Sequence, residues 1–181
     1  SDKTGTLTQN QMTVTRVYAG GETWSLSGSG YAPQGALADA SGGPVAIDNS
    51  SAAGQCLIAG MLCNDSQLAQ RGDQWLIQGD PTEGALLVAG RKAGFTEQEL
   101  AGRLRRIDSI PFESERQYMA TLHEQVDADG SVLYLKGALE KVLEKCSAQL
   151  DAAGALQPLD SATVIRQADS LAGQGLRVLA F

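Results

Sequence analysis

Residues 80–86 read Asp-Pro-Thr-Glu-Gly-Ala-Leu and run on into Leu87-Val88-Ala89. Asp80 is a natural N-cap, Pro81 suits the first helical position, and Glu83, three residues after the cap, completes a capping box. The spacing predicts a helix to about Lys92 that stops near Gly94. Strand-like sequence lies on both sides. Trp75 to Ile77 precedes the helix. After a second helix, which Thr96 and Glu99 open and which reaches about Arg105, come Ile107 to Phe112, Gln117 to Glu124 and Val132 to Lys136. The last two are joined by Asp127-Ala128-Asp129-Gly130, so they form an antiparallel hairpin.

Working outward, residues 11–18 alternate as a strand does, Gly20-Gly21 marks a turn, and Glu22 to Leu26 reads as a second strand. Ser27 to Pro44 is rich in Gly, Ser, Ala and Pro without periodicity and reads as a long surface loop. Ala52 to Cys63 has helical composition, with Cys56 and Cys63 seven residues apart on one face. Toward the other end, Ala138 to Cys146 and Ser161 to Ala172 read as helices, and Leu176 to Phe181 as a final apolar strand. The expected architecture is α+β, an antiparallel sheet flanked by helices.

The 181 residues carry 14 Lys plus Arg against 21 Asp plus Glu, a formal charge of -7. That balance excludes the basic face that nucleic-acid binding requires. The apolar runs Cys56 to Cys63 and Ala85 to Ala89 are too short to span a bilayer. Cys56, Cys63 and Cys146 have neither disulfide-framework nor metal-ligand spacing and read as buried thiols. His123, the one histidine, sits in a strand and reads as a surface or satisfied strand histidine. The chain opens on Ser, in the middle of a motif, so it is expected to be a monomeric piece of a larger protein.

That motif is Asp2-Lys3-Thr4-Gly5-Thr6-Leu7-Thr8. It resembles, without interruption, the phosphorylation signature of P-type cation-transporting ATPases, and a chance match has probability on the order of 10⁻⁹ per position. Four further segments resemble the family's nucleotide-binding domain in the family's order. They are Asp80 to Leu86, Phe112-Glu113-Ser114-Glu115-Arg116, Lys136-Gly137-Ala138, and Gly175 to Leu179. The resemblance implies residues 1–15 as the start of the phosphorylation domain and hinge, and residues 16–181 as the nucleotide-binding domain.

It also implies roles. Asp2 is the nucleophile toward the γ-phosphoryl of ATP, with Lys3 beside it, and Asp2 and Thr4 take part in binding Mg²⁺ in the intact pump. Phe112 stacks on adenine, Glu83 hydrogen-bonds near the base, Lys136 lies against the adenine and ribose side, Arg177 approaches the phosphates, and Arg116, Gln117 and Gly137 are further nucleotide-binding positions. The implied partners are ATP and the phosphorylation, actuator and transmembrane domains of a pump whose cytoplasmic part this is. A calcium-type pump is the first expectation among the cation branches. The acidic loop Gly-Asp-Gly-x-Asn-Asp that completes the family's metal site does not occur here, so Asp2 is expected to be inert in this piece, and ATP is expected to bind weakly without being hydrolysed.

Each role has a plainer counterpart: Glu83 as a capping-box residue alone, Phe112 as a core aromatic, Lys136 as a solvent-reaching strand end, and Arg177 as a surface ion-pair partner. The sequence departs from the family pattern at Gln117, where a lysine is usual, at Ser114, and at Leu139 in place of a proline. Two other readings stand beside the first. One is a non-catalytic interaction domain that has lost nucleotide binding. The other is a fragment of a haloacid-dehalogenase-type phosphatase, which would need an aspartate at position 4.

Overall fold

Gly20 and Gly21, both at positive φ (61° and 84°), make the first turn, a conformation glycine adopts without steric cost. In the computed structural model, which describes residues 11–181, they join β1 (Arg16–Ala19) to β2 (Glu22–Leu26), and β3 (Leu37–Ala38) pairs on the far side of β2. The first strand is shorter than the expected 11–18. The ladder to β2 covers Arg16 to Ala19, with one further hydrogen bond from the Leu26 N–H to the Thr15 carbonyl at 3.0 Å. The expected 27–44 loop therefore contains a strand, and Ala38 bridges further to Pro44.

Helix α1 (Ala52–Leu62) follows, with the Ser51 hydroxyl accepting from the Gly54 N–H at 3.1 Å. A hairpin of β4 (Gln67–Arg71) and β5 (Gln74–Gln78) leads into α2 (Pro81–Lys92). The Asp80 carboxylate caps α2 by accepting from the N–H groups of Thr82 (2.8 Å) and Glu83 (3.1 Å), which satisfies donors that the helix itself leaves unpaired. Helix α3 (Glu97–Arg103) has Thr96 as its cap, as expected.

A three-stranded antiparallel sheet follows, β6 (Leu104–Glu113), β7 (Tyr118–Gln125) and β8 (Ser131–Gly137), in the order β6-β7-β8. The chain continues through α4 (Leu139–Leu143), a small hairpin of β9 (Ala148–Leu150) and β10 (Leu156–Pro158), and α5 (Ser161–Gly173). The architecture is α+β, as the sequence predicts.

Helix α1 is the packing centre. Ala53 and Leu57 join Val17, Trp24, Leu26, Leu37 and Ala89 in one apolar cluster, while Ile58 and Met61 join Leu87 and Leu100 in a second. Burying each large aliphatic side chain stabilises the fold by about 1.5–3 kcal/mol. Helices α1 and α2 approach closely because position 90 is glycine: a Cβ there would stand 2.0 Å from the Met61 sulfur.

Three expectations are corrected. Leu176 to Phe181 is not a strand. Only Ala180 makes a bridge, exchanging both backbone hydrogen bonds with Gly137 at 3.0 Å. The helix expected over 138–146 ends at Leu143, and its N-cap, Ala138, has no side chain able to cap it. Of the three thiols expected to be buried, Cys63 is buried, Cys56 is half-buried, and Cys146, beyond the end of α4, is exposed. Burial pushes the Cys56 thiol up to about 11, which keeps it protonated and unreactive. His123 is buried, with Nδ1 3.2 Å from the Leu104 carbonyl and Nε2 2.9 Å from the Thr121 hydroxyl. Desolvation holds its pKa below the usual value, so it is the satisfied strand histidine expected. Among the described residues no helix is long and apolar enough to cross a membrane.

Candidate functional site

Strand register gathers most of the predicted residues at one end of the β6-β7-β8 sheet. Glu113 lies opposite Tyr118, Tyr118 opposite Gly137, and Met119 opposite Lys136. Phe112, Gln117, Lys136 and Gly137 therefore share that end, with Ser114 to Gln117 forming the turn between β6 and β7. The Ala138 N–H donates to the Gln117 carbonyl at 3.0 Å and closes the turn onto the end of β8. Gly137 is needed for this closure, because a Cβ there would stand 2.4 Å from that carbonyl oxygen.

The first turn of α2 arrives at the same place. Lys136 Nζ donates to Glu83 Oε1 at 2.7 Å, and their side chains are only 8% and 14% exposed. The solvent-reaching alternative for Lys136 is thereby excluded. Glu83 does not close the expected capping box. Its second oxygen, Oε2, accepts instead from the Ser66 hydroxyl (3.0 Å) and the Asp65 N–H (3.1 Å). A carboxylate that gains a buried ammonium has a stronger partner than the N-cap N–H could offer. Lys136 also lies close enough to Cys63 to offset part of the upward pKa shift that burial gives that thiol.

The turn between β6 and β7 is built otherwise. Phe112 is 59% exposed, which rules out the core-aromatic alternative. Arg116 pairs with Glu113, and its Nε is buried without a hydrogen-bond partner. Gln117 has φ of +59°, unusual for a residue other than glycine. Arg177 sits beside α2, with Nη1 3.4 Å from the Thr82 hydroxyl oxygen. It is thus near the cluster, and its partner is a hydroxyl.

Sequence reasoning missed Asn64, Asp65 and Ser66, the turn after α1. Asn64 Nδ2 donates to the carbonyls of Gly60 (3.1 Å) and Glu83 (2.9 Å). Arg106 on β6 donates to the Asn64 carbonyl (3.2 Å) and to the Asp65 carboxylate (2.7 Å). The signal available was an Asn-Asp-Ser sequence directly after a helix, which reads locally as a helix stop.

The arrangement offers an exposed aromatic face, a fixed carboxylate next to a fixed ammonium, and two nearby guanidinium groups. Such a set suits a flat polar heterocycle with an anionic tail. A cavity of about 670 Å³ lies between β1, α1, α4, α5 and residues 175–181. It shares Thr82 and Arg177 with the cluster, but Glu83, Lys136 and Phe112 are not in its walls, so cavity and cluster are separate features. Among the described residues no three His, Cys, Asp or Glu side chains gather so as to hold a metal ion. Asp2, Lys3 and Thr4, expected to carry the phosphoryl chemistry and to bind Mg²⁺, lie outside the described residues.

The sequence profile of the P-type ATPase cytoplasmic domain N matches residues 54–181. The cation-transporting ATPase pma1 of Synechocystis is 51% identical over 187 residues, covering 100% of this chain and 20% of that protein. A probable cation-transporting ATPase F of Mycobacterium tuberculosis is 48% identical, over 99% of this chain and 20% of its own length. A calcium-transporting ATPase of Bacillus subtilis is 37% identical, again over 99% and 20%. The chain thus spans about a fifth of the length of these relatives.

Proposed function

The chain belongs to the P-type cation ATPases, in the region of their cytoplasmic domain N, and from that premise we propose that residues 16–181 bind ATP on behalf of a larger pump. The observation that carries this reading is the buried Glu83–Lys136 pair at the sheet end that also presents Phe112 to solvent. Phe112 supplies non-polar contact to the adenine ring. Glu83 and Lys136 supply an acceptor and a donor at the base and ribose side. Arg177 and Arg116 supply positive charge toward the phosphates, with Gln117 adding only a neutral group.

In the parent pump, residues 1–15 lead into the phosphorylation domain, and Asp2 is the nucleophile. Its carboxylate oxygen attacks the γ-phosphorus, the bond to the β–γ bridging oxygen breaks, and an aspartyl phosphate forms. Lys3 offsets charge at that centre. Asp2 and Thr4 would hold Mg²⁺, which would supply positive charge at that centre. The cycle drives a cation across the membrane, with this domain on the cytoplasmic side and the actuator and transmembrane domains as its partners. By itself the chain is a monomer that binds ATP weakly, without requiring Mg²⁺, and does not hydrolyse it.

The test is an NMR titration of the chain with ATP, ADP and GTP. Shifts at residues 112–117, 136 and 137 are expected with ATP and ADP and are expected to be weaker with GTP. No response to ATP, or an equal response to GTP, would sink the reading.

A further inference from the structure

We propose that Ser66 is a positioning residue for base recognition, acting through Glu83, and that the turn Asn64 to Ser66 holds the Glu83–Lys136 pair in register. The proposal rests on the nucleotide-binding reading above.

Glu83 divides its two oxygens. Oε1 takes the Lys136 ammonium at 2.7 Å, while Oε2 takes the Ser66 hydroxyl at 3.0 Å and the Asp65 N–H at 3.1 Å. The terminal torsion of a glutamate is soft, so a carboxylate held by one oxygen can swing. Holding the second oxygen fixes the plane of the group, and with it the point to which Lys136 is drawn. The Ser66 hydroxyl also lies 3.3 Å from the Asp80 carbonyl. It has one proton, and the shorter, charge-assisted contact to the carboxylate claims it.

Ser66 has little freedom to point elsewhere. It is 9% exposed, and its oxygen lies against Gly79, where a Cβ would stand 2.3 Å away. The turn that carries it is anchored from three elements. Asn64 ties it to the end of α1 and to the Glu83 carbonyl on α2, and Arg106 ties it to β6. Asn64 Oδ1 in turn accepts from the Ser66 N–H at 2.9 Å. A turn braced in this way, whose one hydroxyl is spent on a carboxylate of the candidate site, is built to orient that carboxylate.

The chemical consequence concerns which base is accepted. Adenine presents an amino donor beside a ring acceptor, whereas guanine presents a carbonyl acceptor beside a ring N–H donor. A carboxylate and an ammonium held in fixed relation match one pattern and oppose the other. A carboxylate free to turn would discriminate less.

The experiment measures ATP and GTP dissociation constants for the wild type, Ser66→Ala, Glu83→Gln and the double variant, with melting temperatures alongside. Ser66→Ala is expected to weaken ATP about three- to tenfold and to lower the ATP-over-GTP preference by a similar factor. Adding it to Glu83→Gln should change the preference no further, since the two act in series. A melting temperature that falls while the ATP-over-GTP preference stays at the wild-type value would overturn the proposal, as would additive effects in the double variant. If Ser66→Ala does not fold, Ser66→Cys, with a weaker donor at the same place, should give an intermediate preference, and a wild-type preference there overturns the proposal equally. Absence of ATP binding by the wild type would instead overturn the nucleotide-binding reading and the proposal with it.

Discussion

The two sides of the cluster differ in how they are held. Glu83 and Lys136 are largely buried, paired and braced by the turn after α1, whereas Phe112 and Glu113 at the end of β6 and Gln117 in the turn that follows stand in solvent. The buried side is rigid because a charge pair removed from water is stable only when each partner stays in place. The exposed side has no such requirement, so its residues are free to be shaped by what they bind. On the nucleotide-binding proposal, orientation of a base would fall to the α2–β8 corner, and capture of its face to the end of β6 and the turn that follows it.

The largest expected effect breaks the rigid side. Glu83→Ala leaves the Lys136 ammonium, 8% exposed, without its carboxylate, and the loss of stability should be about 3–5 kcal/mol in urea denaturation. A loss under about 1 kcal/mol would put the pair among ordinary surface ion pairs and erase the contrast. Next comes the exposed side. Phe112→Ala should leave stability unchanged within about 0.5 kcal/mol and cost about 1–3 kcal/mol of ATP affinity, the usual worth of a stacked base. Calorimetric melting and an ATP titration of the same sample read both quantities. The smallest effect sharpens the comparison without damaging either side. Gln117→Lys exchanges one unbranched side chain for another at the same positive φ of 59°, so it changes charge without adding backbone strain. It should tighten ATP about two- to fivefold, in keeping with an exposed charge pair, leave adenosine unaffected, and lose its effect in high salt.

How much of this was legible in the sequence differs by the range of the interactions. The α2 cap at Asp80 and the β7–β8 hairpin were readable because their causes lie within a few residues: a side-chain acceptor, a proline, a glycine-bearing turn. β4 was missed because Gln67-Leu68-Ala69-Gln70-Arg71 is polar and becomes a strand only by pairing with β5 across Gly72-Asp73. The predicted strand over 176–181 had the right composition but finds a single backbone partner, Gly137. The capping box expected of Glu83 failed for the same kind of reason. Its local pattern asked for a capping box, and partners 17 and 53 residues away, Ser66 and Lys136, decided the matter. Helix α5 has an apolar stripe, yet none of its residues is buried; Val164, Ala168 and Leu171 face the apolar cavity instead.

Gly137 bears on how natural variation in this domain is to be interpreted. A side chain there would collide with the Gln117 carbonyl and with Tyr118 Cβ, at 2.4 and 2.6 Å, whatever the domain binds. Selection for the hairpin alone keeps glycine at that position, so an unchanged Gly137 in a lineage that had abandoned nucleotide would be no surprise. Phe112 is under no such architectural constraint: its ring lies mostly in water, and its loss is expected to leave the fold intact. Relaxed selection on nucleotide binding would therefore register first as drift at 112, while 137 stayed silent.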